Sequence, residues 1–194
     1  MIAAIDTSSL ISLVRYYLPF DNDGILYSFI KGKIAAGEII IIDKILEECK
    51  YLSKGIVLET LAFLKDPEFL KTTGLPINTE LIFPPAPAKF FNLVEHQFIN
   101  SVQRKKISDV EFESVKNDFM ESADMKLILY CLNHKKDSLF LEDNDIILVT
   151  EETGDSNDSK TFKKIPAICK FLNINVLTLP QFLAMFVGID VNIK

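Results

Sequence analysis

A chain of 194 residues and 22.0 kDa is long enough to fill one well-packed domain and hardly long enough for two. Its 48% apolar and 25% charged residues exclude wholesale disorder, and a net charge of -6 argues against a globally basic nucleic-acid binder. That charge still leaves room for a local site that meets phosphate through a metal ion or a short basic cluster. Cys49, Cys131 and Cys169 are far apart and form neither an even disulfide set nor a C-x-x-C pair, which predicts a reducing compartment. The N-terminus lacks the pattern of a signal peptide, and no apolar run approaches the ~20 residues that span a bilayer. The expected location is the cytoplasm, with no membrane partner.

In chain order, Ile2 to Ile5 reads as a strand and Ser9 to Val14 as the start of a short helix. Apolar residues at helical spacing predict a helix from Ile25 to Ala35, with Gly37 placed to cap its C-terminus. Glu38 to Ile42 follows as a second strand, continuously apolar in the way of a parallel strand covered on both faces. Asp43 is a natural N-cap for the helix "KILEECKYLSK", which Gly55 interrupts. The segment "KTTGLPINTELIFPPAPAK" reads as a long irregular connection. Helices are expected from Phe90 to Val102, from Asp109 to Met120 with Ser108 and Glu111 at capping-box spacing, and after Ser122 over "ADMKLILYCLNH". Ile146 to Thr150 and "INVLTL" supply the third and fourth strands. Strands alternating with helices predict an α/β fold: a parallel sheet of four or five strands with helices on both faces.

Ligands of open parallel sheets bind beyond the carboxyl ends of the strands. Asp6, Asp43 and the pair Glu151 and Glu152 all fall there, and Asp124 in the first turn of its helix can be aimed into the same crevice. Each has a plainer reading. Asp6 and Asp43 can cap the helices that follow them, Asp124 can complement a helix dipole, and Glu151, Glu152, Asp155 and Asp158 can form a solvated loop. Glu48 is harder to dismiss, because Ile45, Cys49 and Leu52 define the inward stripe of its helix and Glu48 falls within it, whereas Glu47 lies to the side. A carboxylate on a packed face needs a partner. No basic residue stands beside these acids in the sequence, so the expected partner is a cation bound from solution.

Oxygen ligands without His or Cys suit Mg²⁺ or Mn²⁺ better than zinc. His96 and His134 stand far apart, and Cys131 with His134 makes only two ligands. The chain has no G-x-x-x-x-G-K-[ST], G-x-G-x-x-G or G-x-S-x-G motif, so nucleoside-triphosphate, dinucleotide and serine-hydrolase chemistry lose support. Acids at strand ends filled with divalent ions carry out phosphoryl chemistry.

The stretches "AIDTSSLISL", "IIIIDKILEEC", "SADMKLILYCL" and "IILVTEE" resemble the PIN domain, a family of metal-dependent ribonucleases. "RYYLPFD", "VTEE" and "KIPAICKFLNINVLTLPQFL" are closer to a PIN-like branch grouped with bacterial and archaeal toxins. The resemblance spans roughly Met1 to Gly55 and Ser122 to Val187, and the middle, Ile56 to Glu121, has no motif to place. It implies one PIN-like three-layer sandwich over residues 1–194, with a helical and Pro-rich insertion around 56–121. It places the family's four acids on Asp6, Glu48 (Glu47 if the helix phase is off by one), Asp124 and Glu152, with a small polar position at Thr7 or Ser8. Glu152 departs from the Asp that many members carry, and Asp155 or Asp158 is a candidate further ligand. The implied activity is hydrolysis of RNA phosphodiester bonds by water, with Mg²⁺ or Mn²⁺ held by these four residues. An antitoxin protein and a homodimer are implied partners.

Basic groups that would meet an RNA backbone are Arg104 to Lys106, Lys135 with Lys136, and Lys163 with Lys164, although each also reads as solvated surface. A haloacid-dehalogenase-like phosphatase needs a second Asp where Ser8 stands. A phospho-receiver needs an acidic pair and a late Lys that are missing. The serious alternative is a catalytically inactive PIN-like module that binds protein or RNA.

Overall fold

The computed structural model describes residues 1–135, 146–154 and 160–186. Four strands form one sheet in the order β2-β1-β3-β4, all parallel: β1 Ile2–Ile5, β2 Ile39–Ile40, β3 Ile146–Val149 and β4 Asn175–Leu177. Around them run α1 Thr7–Ser12, α2 Ile25–Ala35, α3 Asp43–Tyr51, α4 Ile56–Thr60, α5 Pro67–Thr73, α6 Pro87–His96, α7 Ser101–Arg104, α8 Asp109–Met120, α9 Ala123–His134, α10 Ile165–Leu172 and α11 Leu179–Leu183. The protein is thus α/β with a parallel central sheet, as its alternating strands and helices predict.

Register follows from burial. Ala3, Ala4 and Ile5 are enclosed on both faces, and so is every residue of β3, which explains why both segments are apolar without alternation. The connection from β1 to β2 runs one way along the sheet and that from β3 to β4 runs the other. Right-handed crossovers therefore put α2 and α10 on opposite faces. α2 packs on β2, while α9 packs on β3 and against α10.

Several boundaries differ from the sequence reading, most of them because a tertiary bond replaces a local one. The second strand stops at Ile40, since Ile77 of the Pro-rich connection donates to the Ile41 carbonyl at 3.0 Å and accepts from the Asp43 amide at 2.9 Å. Asp43 is the first residue of α3, not its cap. Its carboxylate instead accepts from the amide and hydroxyl of Thr79, at 3.1 and 2.5 Å, and pins the connection. Burial alone would raise the proton affinity of Asp43, but the bonds from Thr79, together with the amide and charge of Lys44, outweigh it and hold the carboxyl low. The helix expected over 90–102 is two helices. Phe98 is fully buried between them, and residues 98–100 pair with 161–163 through the Ile99–Phe162 bridge. Thr178 and Gln181 form a capping box that ends β4 early and starts α11. The box at Ser108 and Glu111 opens α8 as expected.

Among the described residues no helix is long and apolar enough to cross a membrane.

Candidate metal centre

The chain leaves β1 toward β2 on one side, and leaves β3 toward β4 on the other, so the crevice between β1 and β3 is the point where the connections diverge. Asp6 and Thr150 are the first residues past these two strands. Both backbones are held in register, Asp6 N donating to the Val149 carbonyl at 2.9 Å and Thr150 N to the Leu177 carbonyl at 3.0 Å.

Asp6 is only 4% exposed and its carboxylate is crowded with donors. It accepts from the Thr7 amide at 2.7 Å and the Ser8 amide at 3.3 Å, which makes it the N-cap of α1. The hydroxyls of Ser8 and Thr150 reach the same oxygen, Oδ2, at 2.5 and 2.9 Å. Capping and a place at the crevice are therefore compatible for Asp6. Ser8 Oγ in turn accepts from the Glu151 amide at 3.0 Å, and Thr150 Oγ1 from the Glu152 amide at 3.1 Å. These bonds fold the segment after β3 back over α1.

Glu48 comes from α3 and accepts from Thr7 Oγ1 at 2.6 Å. It is half-buried while Glu47 is exposed, which is the helix phase that the apolar stripe predicts. Burial raises its carboxyl, the Thr7 hydroxyl offsets part of that, and Asp6 raises it further. Asp124, in the first turn of α9, is pushed up to about 7, first by burial and then by the charges of Asp6, Glu152 and Glu48. A helix N-terminus favours a carboxylate by ~0.3–1 kcal/mol, so here burial and like charge win. Glu152 lies close enough to repel Asp124, yet its Oε2 accepts from the Ile165 amide at the start of α10, at 3.1 Å. Glu151 accepts from the Leu179 amide of α11 at 2.6 Å.

All four expected acids thus belong to one electrostatic cluster, while Asp43 lies with Thr79 and apart from them. Asp155, Asp158 and Lys136 lie outside the described residues. Two contributors were missed from the sequence. Thr150 could have been found from strand register, since it is level with Asp6. Lys160 has no such signal: it follows a polar loop, yet its charge acts on Glu48 and on Asp124, so these acids do have a basic neighbour. Three of the expected basic residues are engaged locally. Arg104 pairs with Asp109 and lies over the Phe112 ring, Lys163 donates to the Gln97 carbonyl at 2.7 Å, and Lys135 reaches the Leu172 carbonyl at 3.4 Å.

Among the described residues no three Asp, Glu, His or Cys side chains meet as a ready-made metal-binding group, the carboxylates being turned to nearby hydroxyls and amides. The donor chemistry nonetheless fits a hard divalent cation. It is all oxygen, it is mutually repulsive, and at Asp124 no hydrogen bond from a described residue relieves the repulsion.

Fold and site together define a parallel α/β protein with a cluster of acids where the connections of its central strands diverge. The family described as "Domain of unknown function (DUF4411)" matches residues 85–186, just over half of the chain, and the protein belongs to it. The match takes in Asp124 and Glu152, and it begins within the segment, 56–121, that the PIN resemblance leaves without a motif. No curated protein matches the chain. No solved structure does either.

Proposed function

We propose that the protein is a PIN-like, metal-dependent ribonuclease that hydrolyses RNA phosphodiester bonds, working as the toxin of a toxin-antitoxin pair in the cytoplasm. One observation carries this reading: carboxylates from four separate places meet at the carboxyl edge of the sheet, where the charges of Asp6, Glu152 and Glu48 bear on the buried Asp124 and that of Asp6 bears on Glu48. Such an arrangement costs stability unless a cation offsets it. These four residues would hold Mg²⁺ or Mn²⁺. When bound, the ion supplies a more acidic water and neutralises the phosphate charge that the acids would otherwise repel.

The chain's own residues do the orienting. Four donors past the strand ends, Thr7 N, Ser8 N, Ser8 Oγ and Thr150 Oγ1, fix the Asp6 carboxylate, and Thr7 Oγ1 fixes that of Glu48. Lys160 adds positive charge beside Glu48 and Asp124, which favours a phosphate near the acids.

The alternative, an inactive PIN-like binding module, draws support from the structural bonds that three of the acids make: Asp6 capping α1, Glu48 holding Thr7 and Glu152 holding α10. Cleavage of a mixed single-stranded RNA pool by the pure protein separates the two. The nuclease reading expects cutting with Mn²⁺ or Mg²⁺ that chelator stops and Asp6→Asn abolishes. Asn still caps a helix, so the variant keeps its fold. An Asp6→Asn protein that cuts as the parent does would exclude this site as the source of activity.

A further inference from the structure

The segment 160–164, which leads into α10, pairs with residues 98–100 of the chain between α6 and α7. Asn100 N donates to the Thr161 carbonyl and Lys163 N to the Phe98 carbonyl, both at 2.8 Å. Both ends of the segment are tied to the acids. The charge of Lys160 acts on Glu48 and Asp124, and the amide of Ile165 is held by Glu152 at 3.1 Å. This short ladder therefore sets α7 beside the metal centre.

Arg104 fixes how α7 ends. Its guanidinium donates to the Ile107 carbonyl at 3.2 Å, pairs with Asp109 and lies with its carbon 4.4 Å from the centre of the Phe112 ring. Phe112 and Phe119 both pack on the buried Phe162 of the ladder, Phe119 stacked at 4.0 Å. Lys105 and Lys106, which follow Arg104, are exposed, and so is Lys160 at the other strand of the ladder. Among the described residues no carboxylate pairs with any of these three ammonium groups. Exposed lysines are ordinarily solvated surface. These differ because a packed ladder brings them to one side of the acid cluster, on a chain whose net charge of -6 otherwise disfavours anions.

We propose that Lys160, Lys105 and Lys106 form a phosphate-binding shoulder that holds the RNA outside the bond under attack, so that the protein acts on extended chains and poorly on fragments of a few nucleotides. This rests on the nuclease reading of the acids. The shoulder gives the 56–121 segment, which no PIN motif covers, a part in binding. Its contribution is electrostatic and independent of base sequence, as contacts between lysines and phosphates are.

The test uses the full chain with Ca²⁺ in place of Mg²⁺ or Mn²⁺, and unstructured RNAs of about twenty and about four nucleotides. The parent is expected to bind the longer RNA about tenfold more tightly or better. Lys105→Gln with Lys106→Gln should remove most of that advantage. It should also lower the slope of log affinity against log salt by about 1.4, the value for two lost phosphate contacts on a single strand. Lys65→Gln with Lys71→Gln changes the net charge equally around α5, which packs on α2, and should do neither. Equal affinity for the two RNAs, a Lys105 and Lys106 variant with the parent's affinity and salt slope, or the same loss in the Lys65 and Lys71 variant would each overturn the inference. Metal-dependent cleavage is read separately. Cutting with no preference for length sinks the shoulder alone. A length preference that depends on Lys105 and Lys106, in a protein that never cuts, sinks the nuclease reading alone.

Discussion

Asp124 concentrates the electrostatic argument in one residue. Its carboxyl is raised from 3.8 to about 7, a difference on the order of 4 kcal/mol before solvent screening reduces it. Between these two values the folded protein binds more protons than the unfolded chain. Stability therefore falls as pH rises through that window, and the loss is complete above about 7. Asp124→Asn removes the charge and should raise the melting temperature of metal-free protein by several degrees at pH 8, with the gain shrinking toward pH 4. Thermal unfolding in chelator across that range checks it; a variant no more stable than the parent at pH 8 would show that Asp124 is not crowded by the other acids. The same change should abolish cleavage, so stability and activity move in opposite directions.

At the scale of elements, α3 decides which of two adjacent acids enters the site. A one-residue slip rotates a helix by ~100°, so Glu48 and Glu47 cannot share a face. Ile45 and Cys49 of the expected stripe are buried and made this phase legible, whereas Leu52 lies past the end of α3 and is exposed, and the Thr7 hydroxyl on Glu48 agrees with the phase. Glu48→Gln should weaken Mn²⁺ binding about tenfold or more, while Glu47→Gln leaves it unchanged. Isothermal titration of the two variants separates them, and a Glu48→Gln protein with the parent's affinity would refute the assignment. Elements set by local signals, such as β1, α2 and the boxed start of α8, were legible in the sequence. Those set by distant backbone partners were not. Nothing local in residues 97–100 announces the bridge to Phe162, and nothing in "IIII" announces that Ile77 takes over at Ile41. The short helices α5 and α11 are likewise fixed by side-chain caps, and α4 by burial of Val57 and Leu58, more than by periodicity.

For the whole molecule, strand order is what gives the acids a common place. With β1 and β3 adjacent and their connections diverging, Asp6 and the segment Thr150–Glu152 must meet at the mouth of the sheet, while α3 and α9 carry Glu48 and Asp124 to its sides. The sequence supports acids at strand ends, but adjacency of β1 and β3, nearly 150 residues apart in the chain, is a property of topology. Lys160 was illegible for the same reason. The central claim is that Asp6, Glu48, Asp124 and Glu152 form one shared cation site, and Mn²⁺ titration of the full chain at neutral pH tests it most directly. A shared site binds Mn²⁺ saturably, and Asp6→Asn and Asp124→Asn each weaken that binding, although these residues come from different elements. Affinity unchanged in both variants, with their folds intact, would contradict it.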